Sequence, residues 1–188
     1  PIEFVYTEEQ ALIDQREIGI DSESFQTALN AAFRQDVDVI LEGEMRNHDT
    51  IGAAVTAAET GHLVYSTLHT NDAAQTISRI VDSFPGGQQD QIRVQLAGSL
   101  IGIFSQRLIP HIAGGLVPAY ELLINNTAVA NLIRENRVHE IPSVIETGLE
   151  QGMIDMNRTL ARLVQNGDIT VENAFRYSVN PKGLERLI

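Results

Sequence analysis

Cysteine is absent from the 188 residues, which excludes disulfides and thiolate zinc sites and fits a reducing compartment. Tryptophan is absent as well, and Lys182 is the only lysine among 13 basic residues; the rest are arginine. Against them stand 25 acidic residues and a net charge of −12, so the chain lacks the basic footprint of a protein that grips nucleic acid irrespective of sequence. No stretch approaches the roughly 18 apolar residues of a membrane-crossing helix. The most apolar run, Leu96 to Phe104, is interrupted by Gly98, Ser99 and Gly102. No charged start precedes an apolar core, so no signal peptide is visible. The pattern G-x-x-x-x-G-K-[ST], whose backbone and lysine cradle nucleotide phosphates, is missing, because Lys182 is followed by Gly183 and Leu184. The hydrolase elbow G-x-S-x-G and the metalloprotease spacing H-E-x-x-H are missing too. The first residue is Pro1 rather than Met, so the chain is expected to be a segment of something longer.

What is present suffices for a core: 43% of the residues are hydrophobic, enough for one domain with a small appendage. The first two thirds alternate strand-like and helix-like stretches, as α/β architecture does. Ile2 to Tyr6 predicts a strand, and Ala11 to Glu17 is a second candidate. Ser22 or Ser24 can cap a helix reaching Gln35, with Phe25, Ala28, Leu29, Ala32 and Phe33 on one face. Val37 to Leu41 is a β-branched run suited to a buried parallel strand. Asp49 or Thr50 can cap a helix over 51–60 that Gly61 ends. His62 to Leu68 predicts the next strand. Helices follow at 71–83 and 88–108, split by Pro85-Gly86-Gly87, and a strand at 116–124. From there the pattern is helical: Thr127 can cap 128–136, Met156, Leu160, Leu163 and Val164 line a helix ended by Asn166-Gly167, and Thr170 can cap another. The expectation is an α/β core over 1–125 and a small all-helical module over 126–188.

Two segments carry chemistry. Asp38 to Glu44 is an apolar strand that delivers carboxylates at its C-terminal end, the edge where open α/β sheets bind ligands. A carboxylate there can hold a magnesium-bound water or orient an attacking one, and Gly43 permits close approach of a ligand. Glu42 and Glu44 share a face if the strand continues, and a like-charge pair raises one pKa. Two exposed carboxylates in water is the other reading, and the one preferred for Glu42. The second segment, Glu59 to Thr70, places polar groups at both ends of an apolar strand. His62 and His69 lie about 23 Å apart if extended, on opposite faces, so a shared metal is not expected. Two readings stand for Thr67, His69 and Thr70: phosphate sensing, or a capping cluster before the helix at Asn71. Arg16, Arg34 and Arg46 suit phosphate clamping by arginine's planar fork; each also fits an ordinary surface or helix-end cation.

In order and spacing these motifs resemble the secretion ATPase superfamily of type II secretion and type IV pili. Pro1-Ile2-Glu3-Phe4-Val5 is similar to the end of its aspartate box. Arg34 through Arg46, with Val37-Asp38-Val39-Ile40-Leu41-Glu42-Gly43-Glu44, resembles its Walker B segment. Thr56 through His62 and Leu68-His69-Thr70 resemble its histidine box. Ala128 to Glu135 is similar to the C-terminal motif of the PilT-type retraction branch. No four-cysteine insert of the secretion branch is present. Departures are Asn47 where the family usually has Asp, Glu42 where it has an apolar residue, and Val129 and Ala130 in the C-terminal motif.

The resemblance implies a RecA-like ATPase core, lacking here its phosphate-loop half, that binds ATP and Mg2+ and works as a homohexamer. It implies Glu44 as the catalytic glutamate, polarising water or holding magnesium through water. Glu3 would be the remaining aspartate-box acid, His69 the γ-phosphate sensor and His62 a second histidine-box member. Thr67, Arg16, Arg34 and Arg46 would be further nucleotide-site candidates. The implied setting is cytoplasmic, peripheral at the inner membrane on pilus platform proteins, with retraction and twitching motility as output and the segment alone inactive. A pilus-extension or type II secretion ATPase and a non-catalytic ring-forming module are the alternatives.

Overall fold

A computed structural model describes residues 2–188; Pro1, the first residue of the aspartate-box resemblance, lies outside them. The chain divides into two compact units, the first ending at Leu68 and the second running His69–Ile188.

In the first unit, residues 2–17 form no strand, contrary to expectation at 2–6 and 11–17. Their backbone groups are met by side chains instead: the Ile2 N–H donates to Glu17, the Tyr6 N–H to Gln15, and the Gln15 amide to the Phe4 carbonyl. Phe4, Val5 and Leu12 are exposed, so burial does not reward pairing there. Helix α1 (Phe25–Ala32) starts at Ser24, whose hydroxyl accepts the Thr27 N–H at 3.1 Å. Strand β1 (Val39–Glu42) runs parallel to β2 (Leu63–Ser66), joined by helix α2 (His48–Glu59). The α2 cap is Asn47, not Asp49 or Thr50: its side chain accepts the Thr50 N–H at 3.0 Å and Thr50 reciprocates. Gly61, at φ +100°, ends that helix in a backbone conformation that only glycine adopts freely. Ile40 and Val64 pack on Leu29, Ala53 and Ala57. The opposite face, with Val39, Leu41 and Tyr65, is exposed, so β1 is parallel as expected but covered on one side only.

The second unit opens with α3 (Ala73–Asp82) and α4 (Gly86–Ser99). The expected helix over 88–108 ends at Ser99, and Gly102–Pro110 is strand β3, paired antiparallel with β4 (Leu116–Ile124). Close approach to β4 explains the Gly: a Cβ at Gly102 would come within 2.7 Å of the Leu123 carbonyl oxygen. Next come α5 (Thr127–Arg134), capped by Asn126 rather than Thr127, and α6 (Ile141–Thr147). Then α7 (Met156–Gln165) starts at Asp155, α8 (Val171–Tyr177) starts at Thr170 as expected, and α9 is Pro181–Leu184. The helical segment is no separate module. Met156, Leu160 and Leu163 of α7 share one core with Ile109 of β3 and Ala119 of β4, so the boundary falls at 68/69 rather than 125/126.

Candidate functional site

Strand β1 ends at Glu42, and Glu44 follows in the loop beyond it, so the two acids do not share a strand face. That loop is tied to the end of β2 from both sides. The Met45 N–H donates to the Thr67 carbonyl at 3.0 Å, and the Thr67 hydroxyl donates to the Gly43 carbonyl. Thr67 therefore fixes the loop that presents Glu44. The Glu44 carboxylate, 27% exposed, accepts from Arg46 at 2.7 Å. Arg46 is 78% exposed, and a pair so wetted is weak and readily exchanged for another partner.

Glu42 departs most from its expected character. Only 4% exposed, it faces away from water, and neither carboxylate oxygen accepts a hydrogen bond. Its register partner Ser66, on the same face of the ladder, has an equally unpartnered hydroxyl. Burial pushes the Glu42 carboxyl up from 4.5 to about 8. The Thr50 hydroxyl offsets part of this from outside hydrogen-bonding geometry, since its own proton goes to the Asn47 carbonyl at 3.0 Å. The exposed-carboxylate reading is thus corrected, and the cause of the shift is desolvation rather than repulsion from Glu44.

The histidine strand distributes its polar groups. His62 is occupied at the C-terminal end of α2: its Nδ1 lies 3.1 Å from both the Ala57 carbonyl and the Thr60 hydroxyl, and its ring lies 5.1 Å from that of Phe33. His69 is exposed and heads the second unit; its carbonyl accepts from Arg79 of α3 at 3.1 Å. Thr70 and Thr76 share a hydroxyl hydrogen bond at 2.7 Å, and Asp72 caps α3 by accepting the Gln75 N–H at 2.8 Å. Of Thr67, His69 and Thr70, it is Thr70 that thus joins the start of α3 through its side chain, and the cap itself is Asp72. Buried Glu121 of β4 accepts the Ala73 N–H at 3.0 Å. Burial holds its carboxyl above the usual carboxylate range, opposed by that N–H. Neither Glu121 nor Arg79 was expected at a site; the available signal was an acid in the middle of an apolar strand, a residue type rarely buried without a partner.

Among the other candidates, Arg16 binds Asp14 at 2.6 Å and Gln35 at 2.7 Å, Arg34 is exposed beyond the end of α1, and Glu3 is exposed in the irregular segment. The structure therefore brings Glu44, Arg46 and Thr67 together around Gly43, and leaves Glu3, Arg16, Arg34 and His62 elsewhere in the same unit. Among the described residues no three His, Cys, Asp or Glu side chains gather as metal ligands, and no helix is long and apolar enough to cross a membrane.

Residues 9–115 match the family described as "Type II/IV secretion system protein", more than half of the chain. The chain belongs to that family. It is 49% identical over 185 residues to a "Twitching motility protein" of Neisseria gonorrhoeae, covering 98% of this chain and 50% of that one. It is 48% identical over 174 residues to the Pseudomonas aeruginosa "Type IV pilus retractation ATPase PilT", covering 93% and 51%. The solved pilus retraction motor PilT with bound ADP superposes with a TM-score of 0.89 at 52% identity, covering 99% of this chain and 52% of that one. The PilT-type resemblance read from the motifs therefore holds, and the fold is that of the PilT structure. The chain spans about half the length of the relatives it matches.

Proposed function

We propose that this chain carries the catalytic-glutamate and histidine portion of an ATP-hydrolysing pilus-retraction motor. The observation that carries the reading is the presentation of Glu44: a parallel strand ends, Gly43 and Met45 are tied to Thr67, and one carboxylate is held at the strand's C-terminal edge. A single half-buried carboxylate fits Mg2+ that is held mainly by nucleotide phosphates and touched by protein through water. Bound there, magnesium would neutralise charge developing on the phosphates. Glu44 would orient the attacking water once Arg46 yields the carboxylate, and His69 would sense the γ-phosphate. Arg46 would turn to phosphate oxygens. The phosphate cradle, absent from these 188 residues, would come from outside them. The assembly would be a homohexamer on inner-membrane pilus platform proteins at the cytoplasmic side, and the isolated segment would be nearly inactive.

The kinship to the retraction ATPase PilT and to the solved PilT retraction motor favours retraction over extension. Leu132 and Ile133 of the C-terminal motif are core residues, 9% and 0% exposed, so substitutions there would disturb folding before docking. Outward-facing Asn131 and Arg134 are the better probes of an output role. The test of the main reading is Glu44→Gln in the full-length protein. Turnover should fall by on the order of a hundredfold or more, with nucleotide still bound. Steady turnover by the purified 188-residue chain, or a full-length Glu44→Gln variant with unimpaired kcat, would overturn it.

A further inference from the structure

We propose that Glu121 is a positioning residue for His69: its buried carboxylate on β4 anchors the first turn of α3 and thereby sets where the histidine ahead of that helix stands. The inference rests on the reading of His69 as the phosphate sensor.

A carboxylate in this place is expensive. Glu121 is 7% exposed and lies on the same face of β4 as Ala119 and Leu123, both fully buried, so an apolar side chain would fill the position at no desolvation penalty. What the carboxylate supplies is direction. It accepts the N–H of Ala73, the first residue of α3, which has no partner within the helix. Negative charge is favoured at that end of the helix. Asp72 takes a second unpaired donor, the Gln75 N–H. The start of α3 is thus fastened to the strand by one acid and closed by another.

His69 is fastened to the same helix. Arg79, near the end of α3, donates to the His69 carbonyl at 3.1 Å. Thr70 bonds Thr76, whose hydroxyl also reaches the Asp72 carbonyl at 2.8 Å. The histidine backbone therefore moves with α3, and the first turn of α3 moves with Glu121. Burial first, then Asp72 and Asp155, oppose its charge; the Ala73 N–H and, more weakly, Arg107 favour it, and Arg107 is itself spent on the Tyr177 carbonyl at 2.6 Å. An anchor whose charge is opposed from two sides is kept for geometry rather than for net stability, as buried ionic groups retained for specificity are.

The experiment is a double-mutant cycle on steady-state ATP turnover in the full-length protein, with Glu121→Leu, Glu121→Gln, His69→Ala and the doubles. Glu121→Leu should lower kcat on the order of tenfold while KM for ATP changes by less than about threefold, as a misplaced catalytic group does. Added to His69→Ala it should cost nothing further. Glu121→Gln, whose amide carbonyl still accepts the Ala73 N–H, should restore most of the rate. A Glu121→Leu effect that multiplies with that of His69→Ala overturns the inference alone, as does a folded Glu121→Leu variant with an unchanged kcat. If His69→Ala itself turns over normally, the sensor reading falls, and the inference with it. Should Glu121→Leu not fold, Glu121→Met, of similar length and without a strong acceptor for the Ala73 N–H, enters the same cycle; non-additivity with His69→Ala supports the anchor, and additivity overturns it.

Discussion

Up to Leu68 the buried apolar residues come from two helices alone, Leu29 of α1 and Ile51, Ala53, Ala54, Val55 and Ala57 of α2, and no strand residue there is a buried hydrophobic. Leu29, Ala53 and Ala57, with Phe25, Phe33, Ile40 and Val64 at their margins, lie on one side of β1 and β2, while Val39, Leu41 and Tyr65 on the other side are 52%, 59% and 56% exposed. From His69 onward, Ile77, Ile109, Leu123, Ile133, Ile141 and Leu160 are all fully buried, drawn from helices and both strands of the hairpin. The unit presenting Glu44 is thus the thinly packed one, and the unit beginning with His69 is the self-sufficient one. Loosely packed segments open at lower free energy than cores and commonly carry moving functional parts. On this view the geometry of Glu44 depends on what covers the open face of β1 and β2, whereas that of His69 is built in.

The largest expected effect tests that asymmetry. Leu160→Ala should destabilise the second unit by about 3–5 kcal/mol, because the dense packing around it cannot collapse into the cavity. Leu29→Ala, in the thin core, should cost only about 2 kcal/mol. Denaturant unfolding with residue-level hydrogen exchange measures both, and equal losses would break the comparison.

Glu42 sharpens it. The folded carboxyl is raised from 4.5 to about 8, so the folded chain binds its proton more tightly than the unfolded chain. That contribution is fully present below about pH 4.5 and is lost progressively as pH rises to about 8. Protection of β1 amides should therefore fall between these values. Glu42→Gln should flatten the dependence and stabilise the first unit at pH 8 by about 1–3 kcal/mol. A wild-type profile unchanged by the substitution would show that Glu42 is solvated after all. The smallest effect is local: Asn47→Ala removes the cap of α2 and should cost about 1 kcal/mol, read as faster exchange of the first-turn amides alone.

Where sequence patterns spoke of local chemistry they were legible. Ser24 and Thr170 cap helices as expected, Gly61 ends α2, and β2 and β4 lie where apolar runs stand between turn residues. β3 was missed for a physical reason. Its covered face carries Ser105 and half-buried Arg107 beside Ile109, while Phe104 and Leu108 point to solvent, so the usual alternation is inverted. The strand expected over 2–6 failed oppositely, with suitable residues but no partner strand. Glu44 and His69 stand out by motif, but the hydrogen bonds that Thr67 and Glu121 make do not, because their partners lie 24 and 48 residues away.

The family, the acid beyond β1, the histidine after β2 and the starts of α1 and α8 were legible along the chain, since each depends on residues within a few positions of one another. Which carboxylates are wet and which are dry follows from packing alone. Glu42 and Glu44 differ by two positions and by nothing in composition, yet one lies under α2 and the other in a loop open to solvent. Desolvation is a property of what packs above a side chain, and no local pattern encodes it.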